Sequence, residues 1–229
     1  MAALVLPSGP AELLERTREP LAAHLGGEHH LCLGGGTALA ARWAHRHSTD
    51  VDYFIKPEPY ARLHANAEQF ARDLERATGV RDLSVGPSGT RIILADGGEV
   101  SVSTTPGFTG DPRSEDTVRG TAIGLETSAE ILARKIGGRI LGNSVFVPRD
   151  LYDIAVSRQC DPDAFATACS RFTDRQLRDI AIELRSLHPD WMETHHRPIV
   201  APAFPGAARN AAFTVRDLFQ HRHNLTWDR

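Results

Sequence analysis

The chain has 229 residues, of which 41% are hydrophobic and 24% charged, and its net charge is −3 at neutral pH. That length suffices for one full core plus a helical lobe, and the composition excludes a disordered or fibrous chain. The negative balance excludes a protein that is basic over its whole surface, so contact with nucleic acid has to come from local arginine clusters.

In chain order, residues 10–25 read as a helix with Pro20 as an interruption or kink. Residues 29–33 form a short apolar run that ends in three glycines, which suits a strand entering a tight turn. Thr37 to His45 is helical in composition, with Thr37 placed as an N-cap, and Asp50 to Ile55 alternates as a strand before Pro57. Residues 58–78 carry Tyr60, Leu63, Ala67, Phe70, Leu74 and Ala77 at spacings of three and four, an amphipathic helix. Strands follow near 80–85, 90–95 and 98–104, the last two joined by a hairpin turn at Asp96-Gly97-Gly98, and another near 119–125.

The second half reads as mostly helical. Thr127-Ser128-Ala129-Glu130 has capping-box spacing and opens a helix that runs to about Leu141. Pro148 suits the first turn of a helix over 148–158, with further helices at 161–170, 173–187 and 208–222. Residues 188–207, with four prolines, read as irregular. The expected division is an α/β lobe over 1–125 and a helical lobe over 126–229.

Cys32, Cys160 and Cys169 are odd in number and form no C-x-x-C pair, which points to reduced thiols rather than a disulfide framework or a zinc knuckle. The N-terminus lacks the basic region of a signal peptide, and no stretch approaches the roughly 20 apolar residues that span a bilayer. The expectation is a cytoplasmic protein without membrane contact.

Two segments carry chemistry. Asp50 and Asp52 lie two apart on a strand and so aim at one place, where their mutual repulsion calls for a cation. Mg²⁺, which takes hard oxygen ligands and bridges to phosphates, is the natural choice. Taken alone, the pair also fits a solvated strand face with Val51 packed inward. Gly34-Gly35-Gly36-Thr37, between a strand and a helix, suits a close backbone approach to phosphate at a helix N-terminus. It also suits a simple close-packed turn, and it is neither a Walker A motif nor a dinucleotide fingerprint.

In order and residue type these segments resemble the AbiEii/MenT toxins, nucleotidyltransferases of the polymerase-β-like fold. Leu33-Gly34-Gly35-Gly36-Thr37-Ala38-Leu39-Ala40 through Arg46-His47-Ser48-Thr49-Asp50-Val51-Asp52 is similar to their first motif. Ile131 to Arg139, with Lys135 and Arg139 four apart, is similar to the second, and Arg149-Asp150-Leu151-Tyr152-Asp153 to the third.

The resemblance covers about 120 residues, from Leu31 to Ile154. It implies an α+β fold in which a mixed sheet with flanking helices is followed by a helical C-terminal lobe. It also implies that Asp50 and Asp52 hold Mg²⁺ and that Gly35, Gly36, Thr37, Ser48, Lys135, Arg139, Arg149 and Asp150 bind the nucleotide. Catalysis falls to Asp50, Asp52, Lys135 and Asp153. The implied activity is transfer of a nucleotide from a nucleoside triphosphate to an acceptor hydroxyl, the 3′ end of tRNA, with release of pyrophosphate. The protein would then be a toxin of a toxin–antitoxin or phage-defence pair, with a cognate antitoxin as partner.

Simpler readings stand beside these. Lys135 and Arg139 fit a solvated basic helix face, against which Gly137 and Gly138 argue, since two helical glycines cost about 1 kcal/mol each. Asp150 fits a helix N-terminus. The resemblance also fails at one place. Ser101, in Glu99-Val100-Ser101-Val102-Ser103, stands where many proteins of this fold carry a third carboxylate. A nucleotide-binding module without transfer, or transfer to a small molecule or a protein, are therefore the alternatives. His45, His47 and Asp50 offer a zinc site only if a helix end and a turn converge; surface positions are the expectation for the histidines.

Overall fold

Strands that alternate between apolar and polar residues build the first of two units. The structure, a computed structural model, describes residues 4–104, 106–110, 113–118, 121–188 and 190–221. The first unit comprises Met1–Gly107 and Pro112–Thr127, the second Phe108–Asp111 and Ser128–Arg229.

The first unit is a seven-stranded mixed sheet in the order β3-β4-β5-β2-β1-β7-β6. Its strands are β1 Cys32–Gly34, β2 Val51–Phe54, β3 Val80–Val85, β4 Gly89–Leu94, β5 Glu99–Ser103, β6 Arg113–Val118 and β7 Thr121–Glu126. The β2/β5 and β1/β7 pairs are parallel, and the other pairs are antiparallel.

Leu33, Val51, Tyr53, Val100, Val102, Ile92, Leu94 and Leu125 are buried, one largely apolar face set by the two-residue period of the strands. Helices α1 Ser8–Leu25, α3 Pro57–Ala65 and α4 Ala67–Thr78 contribute Leu14, Leu21, Leu25, Tyr60, Leu63, Phe70 and Leu74 to the buried core. Each such side chain stabilises the fold by about 1.5–3 kcal/mol. The other face, with Asp52, Phe54, Ser101 and Ser103, is only half-buried.

Several boundaries differ from expectation. The first strand starts at Cys32, because Glu28–His30 form a 3₁₀ turn. Pro20 lies inside α1 without ending it. The amphipathic stretch 58–78 is two helices, broken at Asn66, whose side-chain amide donates to the Arg62 carbonyl. Strand β6 was not foreseen: Arg-Ser-Glu-Asp-Thr-Val has no apolar alternation, because it lies at the sheet edge and pairs only with β7. Residues 119 and 120 of the expected strand near 119–125, and residue 222 of the last expected helix, lie outside the described residues.

The second unit is helical. Its helices are α5 Ser128–Ala133, α6 Pro148–Cys160, α7 Pro162–Cys169, α8 Asp174–Leu184, α9 Trp191–Thr194, α10 Pro205–Arg209 and α11 Ala211–Gln220. The short α9 and α10 lie in the stretch expected to be irregular. Thr173 and Gln176 form a reciprocal capping box at the start of α8. The helix from Ser128 does not stay α-helical. From Arg134 to Leu141 it is a π-helix, with i to i+5 hydrogen bonding.

Glu130 has partners well before its own helix. Its fully buried carboxylate accepts the backbone N–H groups of Phe108 and Thr109 at 2.9 and 2.8 Å and the Thr109 hydroxyl at 2.7 Å, and pairs with Arg134 at 3.3 Å. The Phe108 and Phe172 rings rest on Gly137, where an added Cβ would meet Phe108 Cε1 at 2.4 Å, whereas at Gly138 nothing lies within 4 Å. Close approach therefore explains the first glycine and not the second. Gly137→Ala is expected to destabilise the protein by about 1–3 kcal/mol through overpacking. Gly138→Ala is expected to be neutral or to stabilise by up to about 1 kcal/mol. Chemical denaturation of the two variants side by side checks both.

Candidate active site

The glycine turn joins β1 to helix α2, Gly35–Trp43, and each glycine makes room for a side chain. An added Cβ at Gly34 would fall on Glu126 and Phe54, at Gly35 on the Asp52 carboxylate, and at Gly36 on the Arg46 guanidinium. Gly35 also has φ +64°, a left-handed conformation that side chains disfavour. The glycines are thus required by the acidic and basic side chains around them, whatever else approaches.

Thr37 is not the N-cap. The helix starts two residues earlier, after Gly34, and Thr37 uses its hydroxyl elsewhere. That hydroxyl donates to the Asp50 carbonyl at 2.5 Å and is 2.7 Å from the Ser48 hydroxyl. Having one proton to give, Thr37 gives it to Asp50 and accepts from Ser48. Both hydroxyl residues are buried, so one pair of bonds staples the glycine turn to the segment leading into β2.

The register then sets a lateral row across the open face. Gly34 pairs with Asp52, Asp52 with Ser101, and Ser101 with Arg91. On the far side, Glu126 crosses Gly34 and is itself paired with Arg113. The Ser101 hydroxyl donates to Asp52 Oδ1 at 2.5 Å. Arg91 donates from Nε and Nη2 to the two Glu99 oxygens at 2.9 and 3.0 Å. Asp50 receives the Thr49 hydroxyl at 2.9 Å. Gly35, Gly36, Thr37, Ser48, Asp50 and Asp52 are accordingly neighbours in the first unit.

In the second unit, α6 presents Asp150 and Asp153 to the π-helical segment. Lys135 Nζ bonds Asp150 Oδ1 and lies 3.1 Å from Asp153 Oδ2, while Arg139 Nη1 donates to Asp150 Oδ2 at 2.6 Å. Lys135, Asp150 and Asp153 are buried, whereas the Arg139 side chain is 40% exposed. Burial acts to raise the Asp150 pKa, but Lys135 and Arg139 outweigh it and the like charge of Asp153, and hold it below the usual carboxylate value. Lys135 and Arg139 are therefore not a solvated basic face. Arg149, in the first turn of α6, is half-buried.

Other expectations fall away. His45 is fully buried, edge-on to Trp43, rather than at the surface. Among the described residues no three His, Cys, Asp or Glu side chains are placed to hold a metal, so the His45–His47–Asp50 zinc alternative does not form. Cys32, Cys160 and Cys169 form no disulfide. Sequence reasoning missed Arg46, Arg91 and Glu126. Arg91 was signalled weakly, as the polar residue between Thr90 and Ile92 on an alternating strand.

The fold is shared with two solved structures from Helicobacter pylori. JHP933 from Helicobacter pylori superposes with a TM-score of 0.51 at 14% identity, over 96% of this chain and 95% of that one. A second H. pylori protein, provisionally named a nucleotidyltransferase, superposes with 0.50 at 15%, over 96% and 99%. A Bradyrhizobium diazoefficiens CD-NTase in complex with GTP is more distant, with 0.36 at 11%, over 97% and 89%. Among curated protein sequences no match is found. The family model described as the nucleotidyl transferase AbiEii toxin of type IV toxin–antitoxin systems matches residues 21–212. The match takes in the glycine turn, the Asp50/Asp52 strand and the Lys135–Asp153 network, and the chain belongs to the AbiEii nucleotidyltransferase toxin family.

Proposed function

We propose that this chain transfers a nucleotide from a nucleoside triphosphate to the 3′-terminal hydroxyl of tRNA, and that it is the toxin of a toxin–antitoxin pair. Nucleotidyl transfer follows from the family; the acceptor, the metal and the residue roles are the proposal. The observation that carries it is the strand β2, whose Val51 and Tyr53 are buried in the core while Asp52 stands half-exposed on the opposite face. There Asp52 lies across Gly35 in the turn that Thr37 staples to Asp50.

The donor set suits Mg²⁺. Asp52 on the open face of β2 and Asp50 just before that strand match an ion that takes one or two protein carboxylates and completes its shell with phosphate and water. Asp50 and Asp52 would hold it. Bound there, the ion would offset charge on the phosphates and favour the ionised acceptor oxygen.

The chain's own groups do the rest. The amides at the start of α2 bind phosphate oxygens, and Ser48, whose one proton goes to Thr37, holds the turn in place for them. Arg139, the more exposed of the two paired cations, binds the triphosphate. Asp153 and Asp150 hold the Lys135 ammonium in one orientation. The acceptor oxygen forms a bond to the α-phosphorus, the bond to the β-phosphate oxygen breaks, pyrophosphate leaves, and the acceptor proton passes to solvent. No helix among the described residues is long and apolar enough to cross a membrane.

Two outcomes separate this from its alternatives. Incubated with α-labelled nucleoside triphosphates, Mg²⁺ and total tRNA, the protein is expected to label RNA, and Asp50→Asn to lower the rate at least about a hundredfold. Label on a protein or small molecule instead moves the acceptor. Nucleotide binding by calorimetry with no label anywhere, a result that Ser101 in place of a carboxylate makes worth testing for, leaves a binding module. Thr37→Val keeps the shape and removes the staple. It is expected to cost about 1–3 kcal/mol of stability, because Ser48 and the Asp50 carbonyl lose their partner, and to raise KM for the nucleotide; denaturation and steady-state kinetics read the two effects separately.

A further inference from the structure

Asp52 shares its sheet face with a second carboxylate, Glu99, and Asp50 is the residue that leads into β2. The parallel register pairs Val51 with Val100 and Asp52 with Ser101. Glu99, two residues before Ser101, lies on the face of Asp52, and Asp50, just before β2, acts electrostatically on the arginine that grips Glu99. Three carboxylates on one patch repel one another unless cations balance them. One cation is already built in. Arg91, the cross-strand neighbour of Ser101, turns back along the sheet to grip both oxygens of Glu99 at 2.9 and 3.0 Å.

A two-pronged guanidinium–carboxylate bond fixes direction as well as charge, which an ammonium does not. Glu99 acts on Arg91 first, but Asp82 and Asp50 also stabilise its positive charge, so the guanidinium lies within the field of Asp50. At the next position along β5, the Ser101 hydroxyl gives Asp52 a neutral donor rather than a second charge.

We propose that Arg91 is a resident cation of this site: it occupies Glu99 and thereby limits the face to a single divalent ion, held by Asp50 and Asp52. The inference rests on the reading of Asp50 and Asp52 as the metal-holding pair. Arg91 is a positioning residue, since it acts through Glu99 and Asp50. In this arrangement the charge that a second ion would supply is part of the chain, independent of the divalent concentration.

Counting Mn²⁺ by electron paramagnetic resonance tests it, on the full chain with one equivalent of a non-transferable nucleoside triphosphate analogue. Wild type is expected to bind about one ion per chain in excess of an Asp50→Asn control. Arg91→Gln, which frees Glu99, is expected to bind about two, with the second ion at least about tenfold tighter than any second binding to wild type. Arg91→Lys keeps the charge and Glu99→Gln removes the carboxylate, so both are expected to stay at about one. Circular dichroism checks that each variant folds, and Arg91→Lys separates lost charge from lost packing. Two ions on wild type, or one on a folded Arg91→Gln, overturn the proposal while leaving Asp50 and Asp52 as the metal pair. Equal counts on wild type and Asp50→Asn overturn that reading, and this inference with it.

Discussion

Strand β2 is four residues long and faces two ways at once. Val51 and Tyr53 are buried in the core of the first unit, while Asp52 stands on the opposite face. Because side chains alternate along a strand, a slip of one residue would bury the carboxylate and expose the tyrosine. Burying a charge without a partner costs several kcal/mol, so register and chemistry are locked by the same constraint. The neighbouring strands inherit it. Tyr53 sets its register against Leu33, and Asp52 sets its own against Gly34 and Ser101. The glycine turn has to be glycine because Asp52, Glu126 and Arg46 fill the space beside it.

The second unit solves a different problem with the same kinds of residue. Lys135, Asp150 and Asp153 are all buried, and ion pairs in a dry interior gain little net stability. Removing one partner strands the others, however, so the network is intolerant of change at any single member. Its charges are also unequal in access: Arg139 reaches solvent and Lys135 does not. A helix face read as two equivalent cations is in fact one buried and one accessible.

Much of this was legible in the sequence, for identifiable reasons. The place of Asp52 on the open face follows from strand alternation alone, and Lys135 with Arg139 needs only a helical period. The order of the motifs carried the family. What was hidden depends on partners distant in the chain. Thr37 looked like a cap because Ser48 and the Asp50 carbonyl, which claim its hydroxyl, are eleven and thirteen residues away. Glu130 has a local capping-box spacing, but the bonds of its carboxylate to amides about twenty residues earlier have no local signal. Strand β6 shows no pattern because an edge strand with polar residues needs none. Arg91 could be placed on a face from the sequence, but its grip on Glu99 required the β4/β5 register.

The π-helix over Arg134–Leu141 bears on how this family can vary. Such a segment amounts to an α-helix that has accommodated one extra residue. A single deletion between Lys135 and Arg139 would let the ordinary helix re-form, at a gain in backbone hydrogen-bond geometry. Because the wider winding already absorbs the extra residue, three α-helical steps of about 100° would leave Arg139 on nearly the same face as the π-helical ones do, and close to Asp150. One-residue length changes among relatives can therefore fall inside this segment as well as in the loop after Leu141 without undoing the pairing of Lys135 and Arg139 with Asp150.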